Sequence, residues 1–336
     1  MELAKCSRAS AAVTLSATGV SARARPPPVR RRSGVPRVDL GPWASRSERR
    51  QPPARRLEPR AKSLEDGWYA VSTRYGSTED CPLPAPDGLR VTAGPLAVLT
   101  AEAVRLGVAL DERAIERFGR YLDLVMEWNE RAGLTSLTDP AEIQRRHFAE
   151  SLALLAALRT AGLIPMEATL RIADLGSGGG FPGVPMAIAE PGLDLVLIES
   201  HGRRAEFLRT VVEALGLEHA RVVQARAEDA GRGPMLRATF DLVTARALAP
   251  MPVLIEYALP LLKDGGLLVA PKGSRAEEEL AASTGALKAL GGDVRDTLDL
   301  PLPEGLPPQR VLVVRRTGRL DPQYPRRAGT PSRQPL

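Results

Sequence analysis

The chain has 336 residues, 43% of them hydrophobic and 26% charged, with a formal net charge of +6. That length holds one large domain or two modest ones, and no apolar run approaches the roughly 18–20 residues of a membrane span, which excludes an integral membrane protein. Two cysteines (Cys6, Cys81) and three histidines (His147, His201, His219) without ligand spacing exclude a disulfide framework and a cysteine-based zinc site, so no metal is expected.

The charge is unevenly placed. Residues 1–90 hold 17 basic and 9 acidic residues, and residues 315–336 hold 6 and 1. The stretch between them, 91–314, holds 23 basic and 30 acidic residues, net −7. The basic balance belongs to the ends, and global charge alone does not argue for nucleic-acid binding.

Residues 1–60 carry eight prolines and one aromatic, Trp43. Arginine clusters break any apolar period, so the segment cannot bury enough surface to offset its chain entropy. A disordered basic extension over 1–95 is expected. It reads as an organellar transit peptide, as an RNA-attracting tail, or as an extension without function. The 41 Arg against 5 Lys suit GC-rich codons, which generate basic charge without selection for it.

Ordered patterning starts near residue 96. Asp111 is placed to cap a helix carrying Ile115, Phe118, Leu122, Val125 and Trp128 and ending at Gly133. Asp139-Pro140-Ala141-Glu142 is a second start signal, for a helix carrying Leu152, Leu155 and Leu158 and ending by Gly162. Together they predict a helical region over 96–165.

From residue 168 the period changes. Leu170–Leu175, Leu193–Ile198, Arg221–Ala225, Asp241–Ala245 and Leu267–Ala270 are short apolar runs, with helical patterns at 202–215 and 250–262 between them. Strands alternating with helices imply a parallel sheet covered on both faces. Val294–Leu300 and Val311–Arg315 are joined by a Pro-rich loop without a helix and should pair antiparallel. Five parallel strands closed by such a hairpin predict an α/β domain over 166–316 with a seven-stranded sheet. Residues 317–336 read as a second disordered basic tail.

The most informative stretch is Asp174-Leu175-Gly176-Ser177-Gly178-Gly179-Gly180-Phe181-Pro182-Gly183, between the first strand and a helix. Its glycines let the backbone turn tightly and approach a ligand at a helix N-terminus. Gly178, Gly180 and Gly183 also satisfy the dinucleotide fingerprint, a weak pattern on its own. Asp174 would oppose a pyrophosphate but suits an amino-acid ammonium. Glu199, at the end of the second strand, suits ribose hydroxyls. An adenosyl group bearing an amino acid fits both carboxylates. The third strand ends in Ala225-Arg226-Ala227-Glu228-Asp229, where an acid faces an adenine amino group or caps a helix. Arg246 ends the fourth strand and Lys272 the fifth, on the edge where substrate enters.

The run Asp174–Gly183 resembles the RsmG (GidB) family signature D-[IL]-G-S-G-x-G-F-P-G, from bacterial S-adenosylmethionine-dependent 16S rRNA guanine-N7 methyltransferases. Glu127-Trp128-Asn129 with Leu134-Thr135 is similar to that family's EWN…NLT region, and His147 with Ser151-Leu152 to its H-x-x-D-S-L. Leu197-Ile198-Glu199-Ser200 with Arg203-Arg204 and Phe207-Leu208 resembles its second-strand motif. Ala227-Glu228, Ala245-Arg246-Ala247 and Lys272-Gly273 also match, so the resemblance covers about 100–315. Glu150 stands where the family usually has Asp, and Gly179 where Ala is frequent.

The resemblance implies a class I, Rossmann-like methyltransferase fold with S-adenosyl-L-methionine as cofactor. It places Gly176, Phe181, the pair Ala227-Glu228 and Arg246 at the cofactor; Asp174, Gly178 and Glu199 are added by the physical argument above. It implies 16S rRNA in the 30S subunit as partner, the cytoplasm as location, and a monomer is favoured. Guanine N7 already presents an in-plane lone pair, so attack on a sulfonium methyl needs no prior proton removal, and no catalytic His, Cys or metal is required. Arg246 and Lys272 suit an rRNA phosphate or a guanine O6. Arg145, Arg146, Arg203 and Arg204 are further phosphate candidates, against the bland reading of separately solvated charges.

Because residues 1–92 lack core patterning, deleting them should leave the melting temperature within a few degrees of the full chain. A truncated protein that fails to fold would move the domain boundary.

Overall fold

The computed structural model describes residues 96–165 and 169–336, so the extension expected over 1–95 lies outside the described residues. Helices α1 (Ala97–Arg105) and α2 (Glu112–Ala132) come first. α2 starts where its cap dictates, because Asp111 Oδ1 accepts the Ala114 N–H at 2.7 Å. Its apolar stripe buries Phe118, Tyr121, Leu122 and Val125. Asp139 caps α3 (Pro140–Ile143) in the same way. The helix expected to continue unbroken to Gly162 is instead interrupted by a π-helical turn, Gln144–Phe148, before α4 (Ala149–Thr160). Ile143, Phe148 and Leu152 are spaced five residues and then four, and all are fully buried. A regular α-helix would rotate Phe148 off that face; the wider π turn keeps it there.

The rest alternates. In chain order come β1 (Arg171–Leu175), α5 (Gly183–Ala189), β2 (Asp194–Glu199), α6 (Gly202–Ala214), β3 (Ala220–Gln224) and α7 (Ala227–Arg232). Then follow β4 (Phe240–Thr244), α8 (Met251–Ala258), β5 (Leu262–Lys272), α9 (Ala276–Ala281), α10 (Thr284–Leu290), β6 (Gly292–Asp299), β7 (Arg310–Arg316) and α11 (Thr330–Arg333). The seven strands form one sheet in the order β3-β2-β1-β4-β5-β7-β6. β1 to β5 pair in parallel, and β7 runs antiparallel between β5 and β6. This is the class I methyltransferase sheet expected from the sequence. α9 and α10, between the fifth and sixth strands, were not foreseen.

Alternate strand residues enter different cores. Ile172, Leu195, Leu197, Leu242 and Val269 pack with α2, α4, α5 and α6 on one face. Ala173, Val196, Ile198, Val243 and Leu268 pack with α8 on the other. Burial on both faces is why the strands read as continuous apolar runs. The helical region shares the first of these cores, so it is a third layer over α5 and α6 rather than a separate body.

Residues 317–336, expected as a disordered tail, fold back instead. The reason lies in α8, where Glu256 sits among apolar neighbours with its side chain 1% exposed. A bare carboxylate there is costly. Arg326 satisfies it with Nη2 on Oε2 at 2.6 Å, Nε on Oε1 at 2.9 Å and its backbone N–H on Oε1 at 2.8 Å. Tyr257 and Ser332 hydroxyls meet at 2.7 Å. Removing one partner of a buried pair strands the other, so Arg326→Ala should cost about 3 kcal/mol in urea unfolding. A loss under about 0.5 kcal/mol would mean that the fold-back adds nothing to stability.

Candidate active site at the β1–β4 crevice

The strand order reverses between β1 and β4, with β2 on one side and β5 on the other. Open α/β sheets hold ligands at the carboxyl ends of the strands beside such a switch. The glycine turn, Glu199, Ala227-Glu228 and Arg246 all lie on that edge.

The turn is built from the backbone. Gly176 and Ser177 N–H groups donate to the Ile198 carbonyl at 2.8 and 3.2 Å, tying β1 to β2. Gly176 takes φ +72°, and a Cβ there would lie 2.5 Å from Leu248 Cδ1. Gly180, at φ +93°, leaves no room either: its Cβ would lie 2.6 Å from the Tyr121 hydroxyl. That hydroxyl donates to the Gly179 carbonyl, so α2 braces the turn from behind. At Gly178 the space is open, with nothing nearer a built Cβ than the Gly176 carbonyl oxygen at 3.9 Å. The turn is closed where it meets protein and open where a ligand would approach.

Glu199 is 5% exposed, so it is not a solvated strand-end charge. Its Oε2 accepts from Gly178 N–H at 2.9 Å and its Oε1 from His201 N–H at 2.7 Å. Each oxygen keeps a lone pair. Asp174 is placed differently from the expectation. It is 1% exposed and points into the fold, accepting from Gly183 N–H at 3.3 Å and from the Thr244 hydroxyl at 3.2 Å. Burial raises its pKa to about 6, against hydrogen bonds from Gly183 and Thr244 that lower it. Glu228 is buried as well, and its Oε1 accepts the Gly329 N–H at 2.7 Å; Ala227 beside it is half-buried.

Arg246 reaches away from solvent, its side chain 18% exposed. Nη1 donates to Glu150 Oε2 at 3.2 Å and to the Arg146 carbonyl at 3.3 Å, on the π turn. Nη2 lies 3.1 Å from His147 Nδ1, and the guanidinium sits 5.3 Å from the Phe181 ring centre. Phe181 stacks on His147 with centroids 4.5 Å apart. Burial, and then the Arg246 charge, lower the His147 pKa to about 3, so this ring is neutral at physiological pH. Burial also raises the pKa of Glu150 and of Tyr121. Tyr121 escaped the sequence reading because its spacing on α2 is that of a core residue; a hydroxyl on that buried face was the available signal.

Several expected substrate cations are engaged elsewhere. Lys272 is 11% exposed, bound to Glu279 at 2.8 Å and to the Ala249 carbonyl at 2.7 Å. Arg204 Nη2 donates to the Gly133 carbonyl at 2.8 Å and Arg203 reaches Arg131 O at 3.5 Å, so both serve the C-terminal end of α2. Arg145 and Arg146 stay at the surface, pair with Glu142, and Arg145 also donates to the Glu304 carbonyl. Between Arg246 and Ala249, both held, Ala247 has φ +54° and Leu248 is 36% exposed over the glycine turn.

Asp174 gives a pH test. Its folded pKa, about 6, lies above the ordinary 3.8. Between those values the folded state holds a proton that the unfolded chain has lost. The stabilisation from this group is therefore full below pH 3.8 and is lost as pH rises through 6, by about 3 kcal/mol in total. The stability difference between the wild type and Asp174→Asn should fall by about 2 kcal/mol from pH 4 to pH 6.5, in urea unfolding. A difference flat with pH would return Asp174 to an ordinary carboxyl.

A family model described as rRNA small subunit methyltransferase G matches residues 114–300. The chain is similar to the ribosomal RNA small subunit methyltransferase G of Desulfitobacterium hafniense, 44% identical over 232 residues, which take in 69% of this chain and 93% of the relative. The protein of that name from Lactobacillus johnsonii is 41% identical over 239 residues, 71% of this chain and 98% of the relative. Among solved structures, the Methanococcus jannaschii fibrillarin pre-rRNA processing protein aligns at 20% identity and a TM-score of 0.40, over 49% of this chain and 75% of that one. Matched by the family model over more than half its length, and by these relatives over nearly the whole of theirs, the chain belongs to the rRNA small subunit methyltransferase G family.

Proposed function

We propose that the chain transfers the methyl group of S-adenosyl-L-methionine to N7 of one guanine in 16S rRNA, presented by the 30S subunit. The observation that carries this reading is the pairing of the open glycine turn with the buried carboxylate of Glu199 at the sheet's switch point. A pyrophosphate would face that carboxylate at close range, whereas ribose hydroxyls donate to it.

The cofactor supplies a methyl already activated by its sulfonium, and the guanine supplies a lone pair. The residues then have a positioning task, which effective-molarity effects make worth up to about 7–11 kcal/mol. Gly178 keeps the backbone low enough for close approach, and Gly176 leaves room for Leu248 to pack over the turn. Glu199 takes the ribose on the lone pairs left free by Gly178 and His201. Ala227 and Glu228 stand beside it at the end of β3, on the adenine side. Phe181, held between His147 and Arg246, closes the inner end of the crevice to water. Neutral His147 takes no proton from the base, in keeping with a reaction that releases none from N7. Arg246 acts as a positioning residue through Phe181 and His147. Asp174 holds the start of α5 and the end of β4 together.

Glu199→Ala should weaken binding of S-adenosylhomocysteine by about 1–3 kcal/mol in calorimetry, the usual cost of charged hydrogen bonds. A change of a few tenths would remove Glu199 from the ribose. The activity itself is tested by mass mapping of 16S rRNA from cells with and without the gene. Loss of one methyl from one guanine is expected, and an identical map would overturn the assignment.

A further inference from the structure

On the helical side of the crevice four cations are paired with carboxylates, while Arg203 and Arg204 are held by main-chain carbonyls. Arg145 and Arg146 share Glu142, Arg246 holds Glu150, and Lys272 holds Glu279. A phosphate arriving there must first displace a carboxylate. The other flank of the same strand edge, where α7 begins after β3, is built differently.

There the returning C-terminal segment meets the first turn of α7. Gly329 N–H donates to Glu228 Oε1 at 2.7 Å, which takes that carboxylate out of solvent. Arg333 Nε donates to the Gly329 carbonyl at 3.0 Å, laying its guanidinium over the junction. Arg327, two residues before Gly329, and Arg226, two residues before Glu228, are exposed, as is Arg333. Among the described residues none of these three has a carboxylate within ion-pair distance. Glu256, the other acid beneath the segment, is neutralised by Arg326. Asp229 is the exposed carboxylate next to the junction, so three exposed guanidinium groups stand against one acid. The folded part of the chain is otherwise acidic, which makes this local excess the more distinctive.

We propose that this flank, formed by the C-terminal segment folded onto α7, is the surface that grips the phosphates of the substrate RNA. The proposal rests on the reading that RNA is the substrate, and says where it is held. RNA binding proceeds by replacing condensed counterions with protein cations, and unpaired guanidinium groups do so without first losing a partner. They also present a planar fork that matches a phosphate. A folded segment loses less entropy on binding than the free tail that its composition suggests, because Arg326, Tyr257 and Glu228 have already fixed its path. The junction lies on the adenine side of the proposed cofactor site, so RNA held there would cross the crevice with its base towards the glycine turn.

The test uses the full chain and small-subunit rRNA transcribed in vitro. Arg327→Gln/Arg333→Gln should weaken RNA binding about tenfold near 0.1 M salt and reduce the log–log salt slope by about 1 to 2. Affinity for S-adenosylhomocysteine should stay within twofold. Arg226→Gln, outside the segment, should lower the slope by about half as much and keeps the test decisive if the double variant unfolds. The same charge removal at Arg113 and Arg117, beside the opposite ends of β2 and β3, should leave the slope unchanged. RNA affinity and slope unchanged in both Arg327→Gln/Arg333→Gln and Arg226→Gln would overturn the surface while leaving the methyltransferase reading intact. A wild-type chain that neither binds nor methylates small-subunit rRNA, naked or assembled in 30S particles, would overturn both.

Discussion

The architecture of the site depends on one buried cation. Arg246 leaves β4 at the strand edge and turns inward, where a guanidinium without counter-charge would be costly. Glu150 supplies the charge, the Arg146 carbonyl a second acceptor, and His147 a neutral ring nitrogen. All three come from the stretch 146–150, across the π turn and the first residues of α4. That turn places them on one side while Phe148 stays in the core. His147 in turn stacks on Phe181, and Phe181 belongs to the glycine turn. The clamp therefore runs from β4 through the helical layer and back to β1, and it fixes the crevice walls relative to each other.

This dependence explains which parts could be read from the sequence. The helix Asp111–Gly133 and the five parallel strands were legible, because a capped amphipathic period and strands buried on both faces each leave a local signature. The glycine turn was legible because a backbone that must approach a ligand tolerates few other residues. The π turn was not, since Ile143, Phe148 and Leu152 fit a helix with one irregular step. Lys272, Arg203 and Arg204 sit in matching motif positions, yet their partners are carbonyls distant in sequence and, for Lys272, Glu279 on the following helix, which no motif encodes. The returning C-terminal segment was hidden by its proline and arginine content. Its signal lay elsewhere, in Glu256, a carboxylate inside the apolar run Met251–Leu262 that required a cation from some other part of the chain.

The same distinction between paired and unpaired charge organises the electrostatics of the crevice. Arg246 has full compensation and serves as structure. Asp174 lacks a paired cation: neutral donors from Gly183, Thr244 and Ser177 reach it, its positive field is that of Arg246, and burial raises its pKa to about 6. At neutral pH the folded chain therefore carries an ionised carboxylate at a cost of roughly 3 kcal/mol, a strain of the kind that functional sites retain. In the proposed site that cost has a use. The carboxyl joins the end of β1 to the start of α5 and the end of β4, so the strained group holds the floor of the crevice in place. Methyl transfer then moves the positive charge from sulfur to the guanine base. An unpaired guanidinium in the crevice would oppose that cationic product. The pairing of Arg246 with Glu150 and of Lys272 with Glu279 meets that requirement at the ends of β4 and β5.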